Sequence, residues 1–247
     1  CRTGFLGESR RGLINDVRPF DARVLDQTLK RFLALGCAAG EPLPEAAPPC
    51  LQSPLEVRRA VMERLGLAAA RGAVALMPGA EYGIAKQWPR DYYAELAARL
   101  AAEGRPVWVL GSAKEAPLGE HIAAADAGGR IRNLCGVTPL EEAVDVLASV
   151  DVAVTNDSGL MHVAAAVGTH VVAIYGSSSP AFTPALTSRK SVLHLGLTCS
   201  PCFARTCRFG HLRCLREISV DAVHAAVRAA ADAALGSPAP SARGAAG

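Results

Sequence analysis

From residue 73 onward, short apolar runs alternate with stretches whose apolar residues recur every three or four positions. The runs AVALMP (73–78), PVWVLG (106–111), VAVT (152–155) and HVVAIY (170–175) are largely continuous rather than alternating, as strands buried on both faces require, and IRNL (131–134) reads as a short strand. Between them, helices are predicted at 91–103, with Asp91 as cap, within 112–127, at 139–150 and at 160–167. A last strand at 191–195 and a closing amphipathic helix at 219–235 follow. Strand and helix alternate at least four times, so the fold class is α/β with a doubly wound parallel sheet.

Before residue 73 the pattern is poorer. Residues 2–18 read as a basic, glycine-containing loop, 21–35 as an amphipathic helix and 54–67 as another helix. Residues 40–54, GEPLPEAAPPCLQSP, carry five prolines and read as a linker. The expected division is 1–50 as the remnant of one domain with its linker, 51–236 as a complete domain, and 237–247 as a disordered tail. A remnant of that size should leave apolar surface exposed. The opening residue is Cys1 and the first twenty residues read like the middle of a protein, so an N-terminal part is expected to be missing.

Half of the residues are hydrophobic and a fifth are charged, a globular composition. A net charge of +3 is too small to argue for nucleic acid or an anionic membrane. No apolar run approaches the roughly 20 residues of a membrane span, and no signal peptide is visible. The chain is therefore expected in the cytosol, with its eight cysteines as thiols or ligands rather than disulfides.

Candidate chemistry gathers where strands hand over to helices. Asn156-Asp157-Ser158-Gly159 lies between a buried strand and a helix, where open α/β sheets bind ligands and unpaired N–H groups suit phosphate. Gly159 permits close approach of a ligand, Ser158 offers a hydroxyl and an N–H, and Asp157 offers a carboxylate to sugar hydroxyls. The turn chemistry by itself favours a plain N-cap pair. Lys86, in the loop after the first strand, could clamp a diphosphate on the same sheet edge, or simply be solvated. Glu115 could bind ribose hydroxyls; a first-turn glutamate favouring the helix dipole is the simpler reading. Thr138 could shape a nucleoside pocket, although a helix cap followed by proline suffices to explain it. His162 could face the ligand or be a hydrogen-bonded core histidine. Cys199, Cys202, Cys207 and Cys214, with His211, have the density of zinc ligands but not the paired CxxC spacing of a zinc ribbon.

Four segments carry a family resemblance: RTGFLGESRRGLINDVR, PGAEYGIAKQWP, NDSGLMHVAAAVGTHVVAIYGSSSPAFTPAL and CSPCFARTCRFGHLRCL. In this order and spacing they resemble the ADP-heptose:lipopolysaccharide heptosyltransferases, over nearly the whole chain. The resemblance implies a GT-B-like architecture, with a complete C-terminal Rossmann-like domain holding the nucleotide-sugar and a remnant of the N-terminal acceptor domain. It implies inverting transfer of L-glycero-D-manno-heptose from ADP-heptose onto heptosyl-Kdo2-lipid A, without cofactor or obligatory metal. Under it, Lys86 contacts the diphosphate, Ser158 and Gly159 supply N–H groups, Asp157 holds the donor, and Glu115 and Thr138 lie near the nucleoside. Gly79, Glu81, Met161 and His162 are further candidates.

The family's proposed base is an aspartate near the start of its N-terminal domain, which would precede Cys1, so no catalytic residue is assigned and the chain alone is expected to be inactive or nearly so. Arg2, Arg10, Arg11 and Arg18, and Arg205, Arg208, His211 and Arg213 of the cysteine segment, could face the anionic acceptor at the inner-membrane surface or simply be solvated. The alternatives are transfer of the first heptose, a related sugar transferase, or an inactive ADP-binding fragment. Oligomeric state is not legible.

Overall fold

The computed structural model describes residues 1–7, 9–67 and 72–236, with side chains through residue 233. The expected tail, 237–247, lies outside the described residues. In chain order the elements are β1 (Thr3–Phe5), β2 (Asp16–Arg18), α1 (Thr28–Gly36), α2 (Leu55–Arg64), β3 (Val74–Met77), α3 (Arg90–Ala102), β4 (Val107–Val109), α4 (Ala116–Ala123), β5 (Ile131–Asn133), α5 (Leu140–Leu147), β6 (Val152–Asn156), α6 (Gly159–Ala166), β7 (His170–Ile174), β8 (Lys190–Leu193), α7 (Arg213–Arg216) and α8 (Val220–Gly236).

Strands β3 to β8 form one all-parallel sheet in the order β5-β4-β3-β6-β7-β8. The runs of β3, β4, β6 and β7 are buried on both faces, as their lack of alternation predicts, while the edge strands β5 and β8 are partly exposed. Val74 and Leu76 face one cluster with α3 and α8. Ala73, Ala75 and Met77 face the other, with α2, α5 and α6. The chain runs outward from β3 to β5, returns, and runs the other way from β6 to β8. The order therefore reverses between β3 and β6, which register as Val74↔Val152 through Met77↔Thr155. At such a switch point the loops after the two strands diverge and leave a crevice.

Four expectations are corrected. Residues 2–18 are not all loop, because β1 and β2 pair in parallel and Thr3 Oγ1 donates to Asp16 Oδ2 at 2.8 Å. The helix expected at 21–35 starts only at Thr28. Asp21 holds the preceding turn, accepting from the backbone N–H of Arg23 at 2.9 Å and so competing with helix formation. Asp91 does not cap α3; Pro89 is the N-cap, and Asp91 lies 2.8 Å from His121 Nε2. Nor does Thr138 cap α5, whose N-cap is Pro139.

The first fifty residues keep apolar side chains exposed, among them Leu13, Phe20 and Phe32. They and the following Leu51 nevertheless dock on the loop after β7 and on α6. Thr28 N–H donates to Phe182 O at 3.1 Å, Leu51 N–H to Ala166 O at 2.9 Å, and the Arg31 guanidinium sits 4.5 Å over the Phe182 ring.

Candidate functional site

The switch-point crevice is built around Asn156, the last residue of β6. Its amide donates to Pro78 O (2.7 Å) and Gly79 O (3.3 Å), while its carbonyl accepts the Trp88 N–H (3.0 Å). One buried side chain thus pins both ends of the loop between β3 and α3. Trp88 is buried as well, donates Nε1–H to Ile218 O at 2.9 Å and packs edge-on against Tyr92 and Tyr93. Asn156 belongs to the quoted turn but received no role from sequence. A lone asparagine signals a turn, and only the parallel pairing of β3 with β6 puts the loop within its reach.

Between the pins, Lys86 ends a short 3₁₀ turn and places Nζ 2.6 Å from Asp157 Oδ2. The other Asp157 oxygen accepts from Thr183 Oγ1 at 3.2 Å. Asp157 is buried and the Lys86 side chain is 16% exposed, so the pair is largely shielded from solvent. Ser158, not Asp157, is the N-cap of α6, and its hydroxyl lies 3.2 Å from that of Thr155. A Cβ built on Gly159 meets nothing within 4 Å, so the helix N-terminus is open to an approaching group.

Beside this pair lies a cavity of about 550 Å³. Gly79, Glu81, Glu115, Thr138, Ser158 and Gly159 form its polar wall. Leu110, Leu140, Ala143, Leu160 and Val163 form an apolar one. Glu115 accepts the Ser112 N–H at 2.5 Å, so it closes a helix start as well as facing the cavity. A Cβ at Gly79 would lie 1.8 Å from Glu115 Oε1, so a side chain there would displace that carboxylate from its present position. Glu81 pairs with Lys114 at 3.0 Å on the surface. Met161 is a correction. The helical period turns it toward the sheet, where it is fully buried and its sulfur accepts from Tyr175 at 3.4 Å. Ser177 and Ser178, passed over in the sequence, carry buried hydroxyls with no partner among the described residues.

The cysteine segment packs back onto the lysine loop. Tyr82 donates to Phe203 O at 2.6 Å, Ala85 N–H to Arg205 O at 3.1 Å, and the N–H groups of Cys202 and Phe203 to Ser177 O at 3.0 and 2.7 Å. All eight cysteines are free thiols, and no cluster among the described residues is arranged to hold a metal ion. Backbone N–H groups, that of Leu212 foremost, hold the Cys207 thiol below its usual range, while burial pushes Cys214 up.

His162 is half-buried at the crevice. Burial lowers its pKa, Asp157 opposes the shift and Lys86 adds to it. Burial lowers His170 and His194 too. A depressed histidine pKa means that the unfolded chain binds the proton more readily. Stability is therefore intact above the ordinary value of 6.5 and falls as pH drops through it. The urea midpoint is expected to fall between pH 8 and pH 5.5, and to fall less in His162→Asn. Equal drops in both proteins would dismiss His162 as a contributor.

The model of glycosyltransferase family 9 (heptosyltransferase) matches residues 1–213. The chain is 42% identical over 206 residues to lipopolysaccharide heptosyltransferase 2 of Escherichia coli K12, covering 78% of this chain and 58% of that protein. It is 37% identical over 205 residues to lipooligosaccharide heptosyltransferase 2 of Haemophilus influenzae, covering 78% and 59%. The solved structure of E. coli ADP-heptose lps heptosyltransferase II superposes with a TM-score of 0.82 at 37% identity, over 95% of this chain and 70% of that one. The α/β fold thus matches the GT-B-like heptosyltransferase structures, and the chain spans somewhat under two thirds of the length of the curated relatives it matches.

Proposed function

The chain belongs to glycosyltransferase family 9, the heptosyltransferases, and from that premise we propose that it binds the ADP-heptose donor of an inverting transfer of L-glycero-D-manno-heptose onto heptosyl-Kdo2-lipid A. The observation that carries this reading is the cavity between the ends of β3 and β6. Its apolar wall suits an adenine, Glu115 and Thr138 stand where ribose hydroxyls would be met, and the α6 N-terminus beside Lys86 and Asp157 suits a diphosphate.

In the reaction, an acceptor hydroxyl attacks the anomeric carbon of the donor heptose. The bond from that carbon to the β-phosphate oxygen breaks, and ADP leaves with the bonding pair. The hydroxyl proton goes to a general base, for which no residue of this chain is assigned. Charge then grows on the departing diphosphate. Lys86 and the N–H groups of Ser158 and Gly159 are pre-positioned to stabilise it. Asp157 orients Lys86 and Asn156 holds its loop.

We assign residues 1–50 to the acceptor side and 51–236 to the donor side. The acceptor is a lipid, while no helix among the described residues is long and apolar enough to cross a membrane. We therefore place the protein at the cytoplasmic face of the inner membrane, meeting its acceptor at the surface.

Calorimetric titration with ADP-heptose, ADP and UDP tests the donor assignment. ADP and ADP-heptose are expected to bind with UDP at least tenfold weaker, because the apolar wall and Glu115 face a purine nucleoside. Equal affinity for UDP would sink the adenine assignment. Any transfer by the chain should appear on heptosyl-Kdo2-lipid A and not on Kdo2-lipid A; the reverse preference would assign the first transfer instead.

A further inference from the structure

Lys86 is the one cation assigned to the diphosphate, yet its charge is already spoken for. Asp157 stands 2.6 Å away, with both side chains largely shielded from solvent, so the pair is close to neutral. Such a pair offers N–H donors to a phosphate but little net field, and a diphosphate leaving group gains charge as its bond to the sugar breaks. The α6 N-terminus contributes only a partial charge. On electrostatic grounds a second, uncompensated cation is wanted beside Lys86.

The cysteine segment delivers one. The Arg205 guanidinium lies 5.0 Å from the centroid of the Tyr82 ring, and Lys86 Nζ lies 4.9 Å from the same centroid. Both cations therefore pack on the Tyr82 ring, which ties the Arg205 head to the loop that carries Lys86. Arg205 is exposed and pairs with no carboxylate among the described residues.

Its backbone is held with care. Arg205 O accepts the Ala85 N–H at 3.1 Å, one residue from Lys86. Gly83, at φ 149°, packs so closely on that carbonyl that a Cβ there would lie 2.5 Å from it. The Tyr82 hydroxyl fixes the segment again, two residues earlier, through Phe203 O. These bonds fasten the backbone of the loop beside Lys86, and the guanidinium rests on the Tyr82 ring. The π system of the Tyr82 ring favours a charged head against it, and each of the two cations makes such a contact.

We propose that Arg205 is a second diphosphate-binding cation of the donor site, acting with Lys86 across the Tyr82 ring and supplying the uncompensated charge that the Lys86–Asp157 pair lacks. The inference rests on the donor-site reading above. It gives the cysteine segment a part in the donor site, distinct from the acceptor-facing role that its sequence allows. Because a guanidinium can grip two phosphate oxygens at once, lysine is a poor substitute.

The test is calorimetric titration of the whole chain with ADP and with AMP, in the wild type and in Arg205→Gln, Arg205→Lys and Lys86→Ala. Arg205→Gln is expected to weaken ADP binding about tenfold and AMP binding much less, with Arg205→Lys between. It should also flatten the dependence of ADP affinity on salt, since one phosphate-facing charge is lost. The substitution leaves the carbonyl that binds Ala85 in place, and an unchanged thermal midpoint will verify that the loop is intact. Wild-type ADP affinity in Arg205→Gln, with Lys86→Ala weakened, would overturn the role of Arg205 and leave the donor site standing. Equal losses for ADP and AMP would also overturn it, since the effect would then not follow the second phosphate. Absence of ADP binding by the wild-type chain, or its persistence in Lys86→Ala, would overturn the donor-site reading and this inference with it.

Discussion

Lys86→Ala is expected to lower ADP affinity about a hundredfold, the loss of a charge-assisted contact to phosphate in a partly shielded site. It should also destabilise the fold. Asp157 is 7% exposed and would keep only its bond from Thr183, leaving a buried carboxylate without its cation. Removing one partner of a buried pair costs about 3 kcal/mol. The two effects can be separated. In Lys86→Met with Asp157→Asn, no charge is buried, so stability should return to near the wild-type value while ADP binding stays lost. Chemical denaturation and calorimetry of the single and double variants read both quantities. A single variant that binds ADP like wild type would remove Lys86 from the donor site. A double variant no more stable than the single would show that the destabilisation has another source than the orphaned charge.

Asn156→Ala should cost about 3 kcal/mol and loosen the donor site at the same time. The substitution leaves the Trp88 N–H and the Pro78 carbonyl, both buried behind the crevice, without the partner each has now. Each such loss costs roughly 1–3 kcal/mol. Asn156→Asp is the sharper variant. It retains an acceptor for Trp88 N–H but presents a carboxylate oxygen to the carbonyls of Pro78 and Gly79, which is repulsive. It should be at least as destabilising as alanine despite being isosteric. Because the loop that Asn156 pins carries Lys86, hydrogen exchange at residues 79–88 should accelerate in both variants before global unfolding. Unchanged exchange there, with wild-type stability, would mean that the loop is held by Trp88 packing alone.

Strands β3, β4, β6 and β7 were legible as continuous apolar runs, because strands buried on both faces leave no alternation to misread, while the edge strands β5 and β8 are partly exposed and carry polar residues, so they were legible only as short strands. The order of the six strands was not legible. Nothing local in Val74–Met77 or Val152–Asn156 says that they are neighbours; the reversal of winding between them follows from how helices cover both faces. The N-terminal stretch was read less well. The strands β1 and β2 are three residues each, too short for a period to show, and Asp21 held a turn inside what looked like one amphipathic helix.

At the candidate site, residue types at the ends of strands marked Lys86, Asp157, Ser158, Gly159, Glu115 and Thr138 as candidates but left each open to a plain cap or surface role; the family resemblance is what gave them binding roles. Met161 misled because it stands two residues past Gly159, and two residues along a helix is the opposite face. The sequence by itself determined the elements, the edge of the sheet on which chemistry gathers, and, through four motifs in order, the family. Only the tertiary structure decided which partners meet. Lys86 reaches Asp157 across 71 residues and Asn156 holds Trp88 across 68, and Arg205 and Lys86 pack on one tyrosine ring. Contacts between segments so far apart depend on strand order and loop packing, which are properties of the folded chain and leave no periodic trace in the residues themselves.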